Sequence, residues 1–242
     1  SVAAGPSGFV AVTGWRGCCG SQTPATVLIS ADGRRWRAVT VAGLGGAMLN
    51  GVAGDGKGYV LVGQEATPTA TSVGRGTQPR AWTSADGVHW TPVELKALEG
   101  AGQAAITASG SPWGFVAAGL AGESGTGSPQ GIVIWVSTDG ANWSEPTPVA
   151  DAPNPEALVL ADGPNRVTME IGLAEAPGQS LSTIDGTDWW PDGAPPQIHS
   201  PVLAMSDHEI LVASNCAAYL SDCPGPVLFT GTFDPEPAQS RD

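Results

Sequence analysis

Acidic side chains dominate the chemistry this chain can offer, and four aspartates recur in one setting. The pattern Ser/Thr-x-Asp-Gly-x-x-Trp appears as Ser30-Ala31-Asp32-Gly33-Arg34-Arg35-Trp36 and Ser84-Ala85-Asp86-Gly87-Val88-His89-Trp90. It returns as Ser137-Thr138-Asp139-Gly140-Ala141-Asn142-Trp143 and Thr183-Ile184-Asp185-Gly186-Thr187-Asp188-Trp189. Two carboxyl groups facing each other in a cleft can hydrolyse a glycosidic bond. One acid repeated at one offset fits a different task. Asp-Gly signals a tight turn, because glycine takes positive φ without steric cost and the carboxylate accepts bonds from the N–H groups that follow it. The Ser or Thr hydroxyl adds a second local bond, and the Trp ring can lie against the sheet or a neighbouring one. Asp32, Gly33, Trp36, Asp86, Gly87, Trp90, Asp139, Gly140, Trp143, Asp185, Gly186 and Trp189 therefore read as structural. No catalytic residue is assigned.

The spacing points to the elements that carry these turns. The aspartates stand 54, 53 and 46 residues apart, room for one four-stranded sheet per repeat, and β-sheets repeated at that period build a propeller. Ahead of each turn lies an apolar strand: Phe9-Val10-Ala11-Val12, Tyr59-Val60-Leu61-Val62, Phe115-Val116-Ala117-Ala118 and Val167-Thr168-Met169-Glu170-Ile171. Such runs suit strands covered on both faces, and most close with glycine, at Gly14, Gly63, Gly119 and Gly172. A fifth copy is Glu209-Ile210-Leu211-Val212-Ala213. Before each comes a strand of small residues, as in Val2-Ala3-Ala4-Gly5, fit for the crowded centre of a ring. The expected architecture is all-β: a five-bladed propeller of four-stranded antiparallel blades at about 1–45, 46–100, 101–152, 153–196 and 197–235. The fifth unit shows a third strand, Pro226-Val227-Leu228-Phe229-Thr230, but neither the turn motif nor a fourth strand. An upstream segment that supplies the missing strand, an incomplete last blade, and a six-bladed ring with one blade outside this chain all remain open. Residues 94–105 form the best helix candidate, and 236–242 read as a disordered tail or linker.

The four copies resemble the Asp-box (BNR) repeat of the sialidase-like propeller superfamily, and the likeness extends through the flanking strands over most of the chain. It implies that each box sits on the hairpin between a blade's third and fourth strands, at the rim and away from the central site. The superfamily includes sialidases, xyloglucan-cleaving hydrolases, receptor ectodomains and assembly factors, so the resemblance speaks to fold and leaves activity open. Sialidases use a Tyr nucleophile and, as a family trait, three arginines that grip the substrate carboxylate. Here the tyrosines are Tyr59 and Tyr219, Tyr59 takes the strand place of Phe9 and Phe115, and the inner strands carry no Arg. The sialidase chemistry is not matched.

Propeller ligands usually meet the face built from loops between second and third strands. Two of these loops, at 67–78 and 122–130, exceed hairpin length, and long loops on a rigid scaffold carry binding residues. Ligand-binding candidates are Trp15, Arg16, Arg75, Glu123 and Tyr219, with His199 on a connection between blades. Glu65, Glu123, Glu175 and Asp222 are the loop acids that a hydrolase would have to bring together. No Gly-x-Ser-x-Gly elbow accompanies His89, His199 or His208.

Charge and cysteine bound the partners. The net charge of −13, from 23 acidic and 10 basic residues, opposes nucleic acid and anionic membranes, and the basic residues read as scattered. No apolar run reaches the length of a membrane span, no calcium-loop pattern appears, and neither metal nor cofactor is called for. Cys18 and Cys19 fall in the first unit, Cys216 and Cys223 in the fifth. In a closed ring those units are neighbours, so two disulfides between the pairs would staple its ends, although a Cys216–Cys223 bridge also stays open. Disulfides imply an oxidising, extracellular setting; no signal peptide is visible, as expected of a mature secreted chain. The reading is a secreted, non-catalytic module that binds a cell-surface glycan or a secreted protein, within a larger assembly. A glycoside hydrolase with loop carboxylates in a central cleft is the alternative.

Overall fold

The computed structural model describes residues 1–13, 25–44, 47–66, 77–97, 101–123, 131–153, 155–173, 178–192, 202–205, 209–214 and 227–232. Every regular element among them is a strand. The chain divides into two compact units, Ser1–Asn154 and Pro155–Asp242.

The first unit holds three antiparallel meanders of four strands each. The first comprises β1 (Val2–Gly5), β2 (Gly8–Thr13), β3 (Thr26–Ser30) and β4 (Arg37–Val39). The second comprises β5 (Met48–Gly54), β6 (Tyr59–Ala66), β7 (Thr77–Ser84) and β8 (Thr91–Glu94). The third comprises β9 (Ala101–Ser111), β10 (Gly114–Glu123), β11 (Gly131–Ser137) and β12 (Thr147–Asp151). In the second unit, β13 (Pro155–Asp162), β14 (Val167–Leu173), β15 (Gln179–Thr183) and β16 (Trp190–Pro191) form a fourth such sheet. A fifth has three strands among the described residues: β17 (Val202–Met205), β18 (Glu209–Ser214) and β19 (Val227–Thr232). Among the described residues four complete four-stranded blades are present, where the sequence reading expects five. The helix candidate at 94–105 is replaced by the end of β8 and the start of β9.

The alternating side chains of the second and third strands explain how the first three sheets stack. One face of the first blade (Val10, Val12, Val27) meets Leu49, Tyr59, Leu61 and Trp82 of the second. The opposite face of the second blade (Val60, Val62, Ala81) meets Phe115, Ala117, Val133 and Trp135 of the third. Strands buried on both sides tolerate continuous apolar sequence, which accounts for the runs seen in β6 and β10. Each such Val or Leu contributes about 1.5–3 kcal/mol by leaving water. Directed bonds join the blades as well. The Tyr59 hydroxyl donates to the Gly8 carbonyl and accepts from the Ser7 N–H, both at 3.0 Å, and Trp135 Nε1 donates to the Lys96 carbonyl at 2.8 Å.

Strand lengths depart from the sequence reading. Gly63 and Gly119, expected to close their strands, lie inside them, because β6 runs on to Ala66 and β10 to Glu123. Both glycines sit beside a register slip: β5 skips one residue against β6 between Leu49 and Gly51, and β9 does so opposite Ala118 and Gly119. A bulge brings the backbones close, and a Cβ on Gly63 would run into the Met48 backbone.

Candidate functional site

Four hairpins between third and fourth strands carry the repeated motif, and all four are built alike. In each, the Ser or Thr hydroxyl accepts the glycine N–H at 2.9 Å. One aspartate oxygen accepts the next two N–H groups at 2.8–3.0 Å, and the Trp Nε1 donates to the glycine carbonyl. The glycines take φ between 71° and 80°, as this turn requires. Bonds that favour the ionised form hold the Asp139 carboxyl down to about 2, through the Asn142 N–H first, then the Asn142 side chain and the Ala141 N–H. Asp32 is lowered by the N–H groups of Arg35 and Arg34, and Asp86 further still by the N–H and ring of His89 and the Val88 N–H. At Asp185 burial opposes the shift, but the Asp188 and Thr187 N–H groups outweigh it. Carboxylates held this way are poor proton carriers at neutral pH.

Where the first two blades meet at this hairpin end, a cavity of about 380 Å³ opens. Phe9, Arg35, Trp36 and Arg37 of the first blade and Tyr59 and Asp86 of the second line it. Phe9 and Trp36 are 37% and 38% exposed, high for large aromatic rings, and each presents a flat apolar face. Tyr59 is buried and engaged at both hydroxyl valences by the neighbouring blade. Arg34 and Arg35 on the turn and Arg37 at the start of β4 flank Trp36 in sequence, and all three are exposed. This corrects the reading of scattered basic residues: three of ten fall within four positions. The run was hidden inside a motif whose role is structural, although the letters Arg-Arg-Trp-Arg were the signal.

A second polar cluster lies in the fourth blade, and sequence reading missed it. Paired register places Thr168 opposite Ser182 and Glu170 opposite Ser180. Counting from the motif's Ser or Thr, the same places hold Val60, Val62, Ala81 and Thr83 in the second blade and Val116, Ala118, Ile134 and Val136 in the third. An almost wholly apolar face has become polar. Thr168 and Ser182 hydroxyls bond at 2.8 Å, Ser182 donates to Asp192 at 2.7 Å, and Arg166 reaches the same Asp192 oxygen at 3.2 Å. Glu170 is 4% exposed, and its Oε2 has no partner among the described residues. Burial pushes its carboxyl up to about 7; a hydrogen bond with Ser180 pulls the other way, and the Asp192 charge adds to the rise. Aligning the strands would have revealed Thr168 and Glu170 among valines and alanines.

The sequence candidates distribute unevenly. Trp15, Arg16, Arg75, His199 and Tyr219, as well as Cys18, Cys19, Cys216 and Cys223, lie outside the described residues. Glu123, expected in a loop, is the last residue of β10, since that strand extends beyond Gly119. Glu65 is likewise in β6, paired with Arg80 across the hairpin at 2.6 Å. No group of three or more His, Cys, Asp or Glu able to hold a metal occurs among the described residues.

No protein-family model and no curated protein matches the sequence. Solved structures do match. Trypanosoma rangeli sialidase superposes with a TM-score of 0.64 at 13% identity, over 95% of this chain and 46% of its own. A Penicillium chrysogenum alpha-L-arabinanase complexed with arabinobiose gives 0.54 at 14% identity, over 95% and 76%. A GH32 beta-fructofuranosidase from Bombyx mori gives 0.54 at 12% identity, over 88% and 53%. The chain thus spans about half the length of the sialidase and the fructofuranosidase. Likeness at this identity defines the fold alone: a β-propeller of four-stranded antiparallel blades.

Proposed function

We propose that this propeller is a secreted, non-catalytic module that recognises a glycan in the cavity between its first two blades. The observation that carries the reading is the pair of half-open aromatic faces, Phe9 and Trp36, at a cavity of about 380 Å³ edged by polar groups. Sugars present C–H faces that lie well on aromatic rings and hydroxyls that need hydrogen-bonding groups at the rim. Similarity to enzymes of carbohydrates, one of them holding arabinobiose, supports a sugar as the ligand class. Among the described residues hydrolysis finds less support: the turn aspartates are committed to their own backbone, Glu170 is sealed, and Tyr59 is buried with its hydroxyl engaged. A five-bladed ring closed by Cys18 and Cys19 against Cys216 and Cys223 belongs to the same proposal. So does a further, protein-binding role for the loops between second and third strands.

The test is a glycan array followed by calorimetry on the best ligand. Trp36→Ala is expected to weaken binding about tenfold, the value of roughly 1.4 kcal/mol of lost stacking. Retention of no glycan, or equal affinity for Trp36→Ala, would sink the reading.

A further inference from the structure

Building on glycan recognition at this cavity, we infer that its ligand is an acidic sugar. The ring lies on Trp36, and a carboxylate or sulfate is gripped by Arg35 and Arg37. Three observations meet here. First, the arginines are not required by the turn: the places of Arg34, Arg35 and Arg37 are held by Val88, His89 and Thr91 in the second blade and by Ala141, Asn142 and Ser144 in the third. Second, no ion pair engages them among the described residues, whereas Arg80 pairs with Glu65, Arg166 with Asp192 and Lys96 with Glu145. On a chain of net charge −13, three exposed guanidiniums without a carboxylate partner stand out as a local reversal of sign. Third, Arg35 and Arg37 line the cavity on either side of Trp36 in sequence, which puts planar cationic donors next to an apolar ring.

Guanidinium groups suit carboxylate and sulfate because they offer paired N–H donors at matching spacing. The second blade's share of the lining sets the ligand's direction. Asp86 stands there with one oxygen on the Val88 and His89 N–H groups and the other on the His89 ring. Its negative charge turns an acidic substituent towards the arginines and leaves the neutral part of the sugar beside Asp86. The site lies at the hairpin end of the blades, not among the loops that join second to third strands.

The experiment measures binding of the whole chain to oligogalacturonate, to its methyl-esterified neutral form, to a sulfated oligosaccharide and its desulfated form, and to inorganic sulfate. The acidic member of each pair is expected to bind at least about tenfold more tightly, with the margin shrinking as salt is raised. Arg35→Gln with Arg37→Gln should erase that margin, the ratio within each pair being the readout whatever the change in neutral binding; both residues are exposed, and circular dichroism checks the fold. Equal affinity within each pair, or a margin untouched by the double variant, overturns the inference but leaves glycan recognition standing. Inorganic sulfate bound as tightly as the sulfated sugar also overturns it, as a plain anion site. No binding of any sugar removes both readings together.

Discussion

Replacing Glu170 by Gln should remove the part of the protein's pH dependence that lies between pH 4.5 and about 7. The carboxyl titrates near 7 in the native state against 4.5 for an unperturbed glutamate, mainly because burial penalises the charge. Below about pH 4.5 both native and unfolded states hold the proton, and the residue costs nothing. As pH rises from there the unfolded state ionises first, so stability falls across the window from 4.5 to about 7 and then levels off. A shift of that size corresponds to about 3 kcal/mol lost by the top of the window. Gln keeps the shape and cannot ionise, although its amide adds a pH-independent offset of about 1–3 kcal/mol if its N–H stays unpaired. The informative quantity is therefore the difference between the two stability curves and not either curve alone. Urea unfolding of both proteins at intervals from about pH 4 to pH 8 gives it, because the other carboxyls cancel in the subtraction. Parallel curves would show that Glu170 is not held in a low-dielectric setting. The account of the fourth blade's polar face would then fail.

Other outcomes follow from the same geometry. Asp139→Ala should destabilise by about 1 kcal/mol, since two exposed N–H groups return to water. The lowered carboxyl makes that contribution complete above about pH 4 and lost as pH falls through about 2, which acid-unfolding curves of the two proteins will show. Gly140→Ala should cost more than Gly56→Ala: both have positive φ, but the new Cβ at 140 would lie 2.8 Å from Val60 Cγ2, whereas nothing lies within 4 Å at 56. Strain alone accounts for about 1–2 kcal/mol, and the excess at 140, read by thermal melting, measures the clash. Tyr59→Phe keeps the ring and loses the bonds to Ser7 and Gly8, for about 1–2 kcal/mol in melting experiments. An unchanged melting temperature would deny that hydroxyl a part in joining the first two blades.

The fold class was legible because its signals are local. Apolar runs ahead of an Asp-Gly turn, repeated every fifty residues or so, specify a strand, a hairpin and a repeat without reference to distant contacts. Strand ends were less legible. Gly63 and Gly119 look like terminators in sequence, but both lie beside a bulge, and at Gly63 another backbone comes too close for a side chain, a fact that only pairing exposes. The candidate sites hid for a different reason. Arg35 and Arg37 flank a tryptophan already assigned to the turn, and the cavity beside it needs Asp86 and Tyr59 from another blade to exist at all. Glu170 stood in plain view within a strand, and it becomes conspicuous only when register aligns it with Val62 and Ala118.

The turn glycines give the first unit a sense of direction. Gly87 rests against Val10, and Gly140 against Val60, so each later hairpin overlaps the sheet made before it, like shingles laid from one edge. A chain synthesised from its amino end meets every seat already formed. A circular permutant opening inside the third blade would instead have to slide its first shingle beneath a course not yet laid, and slow refolding is the mark it would carry.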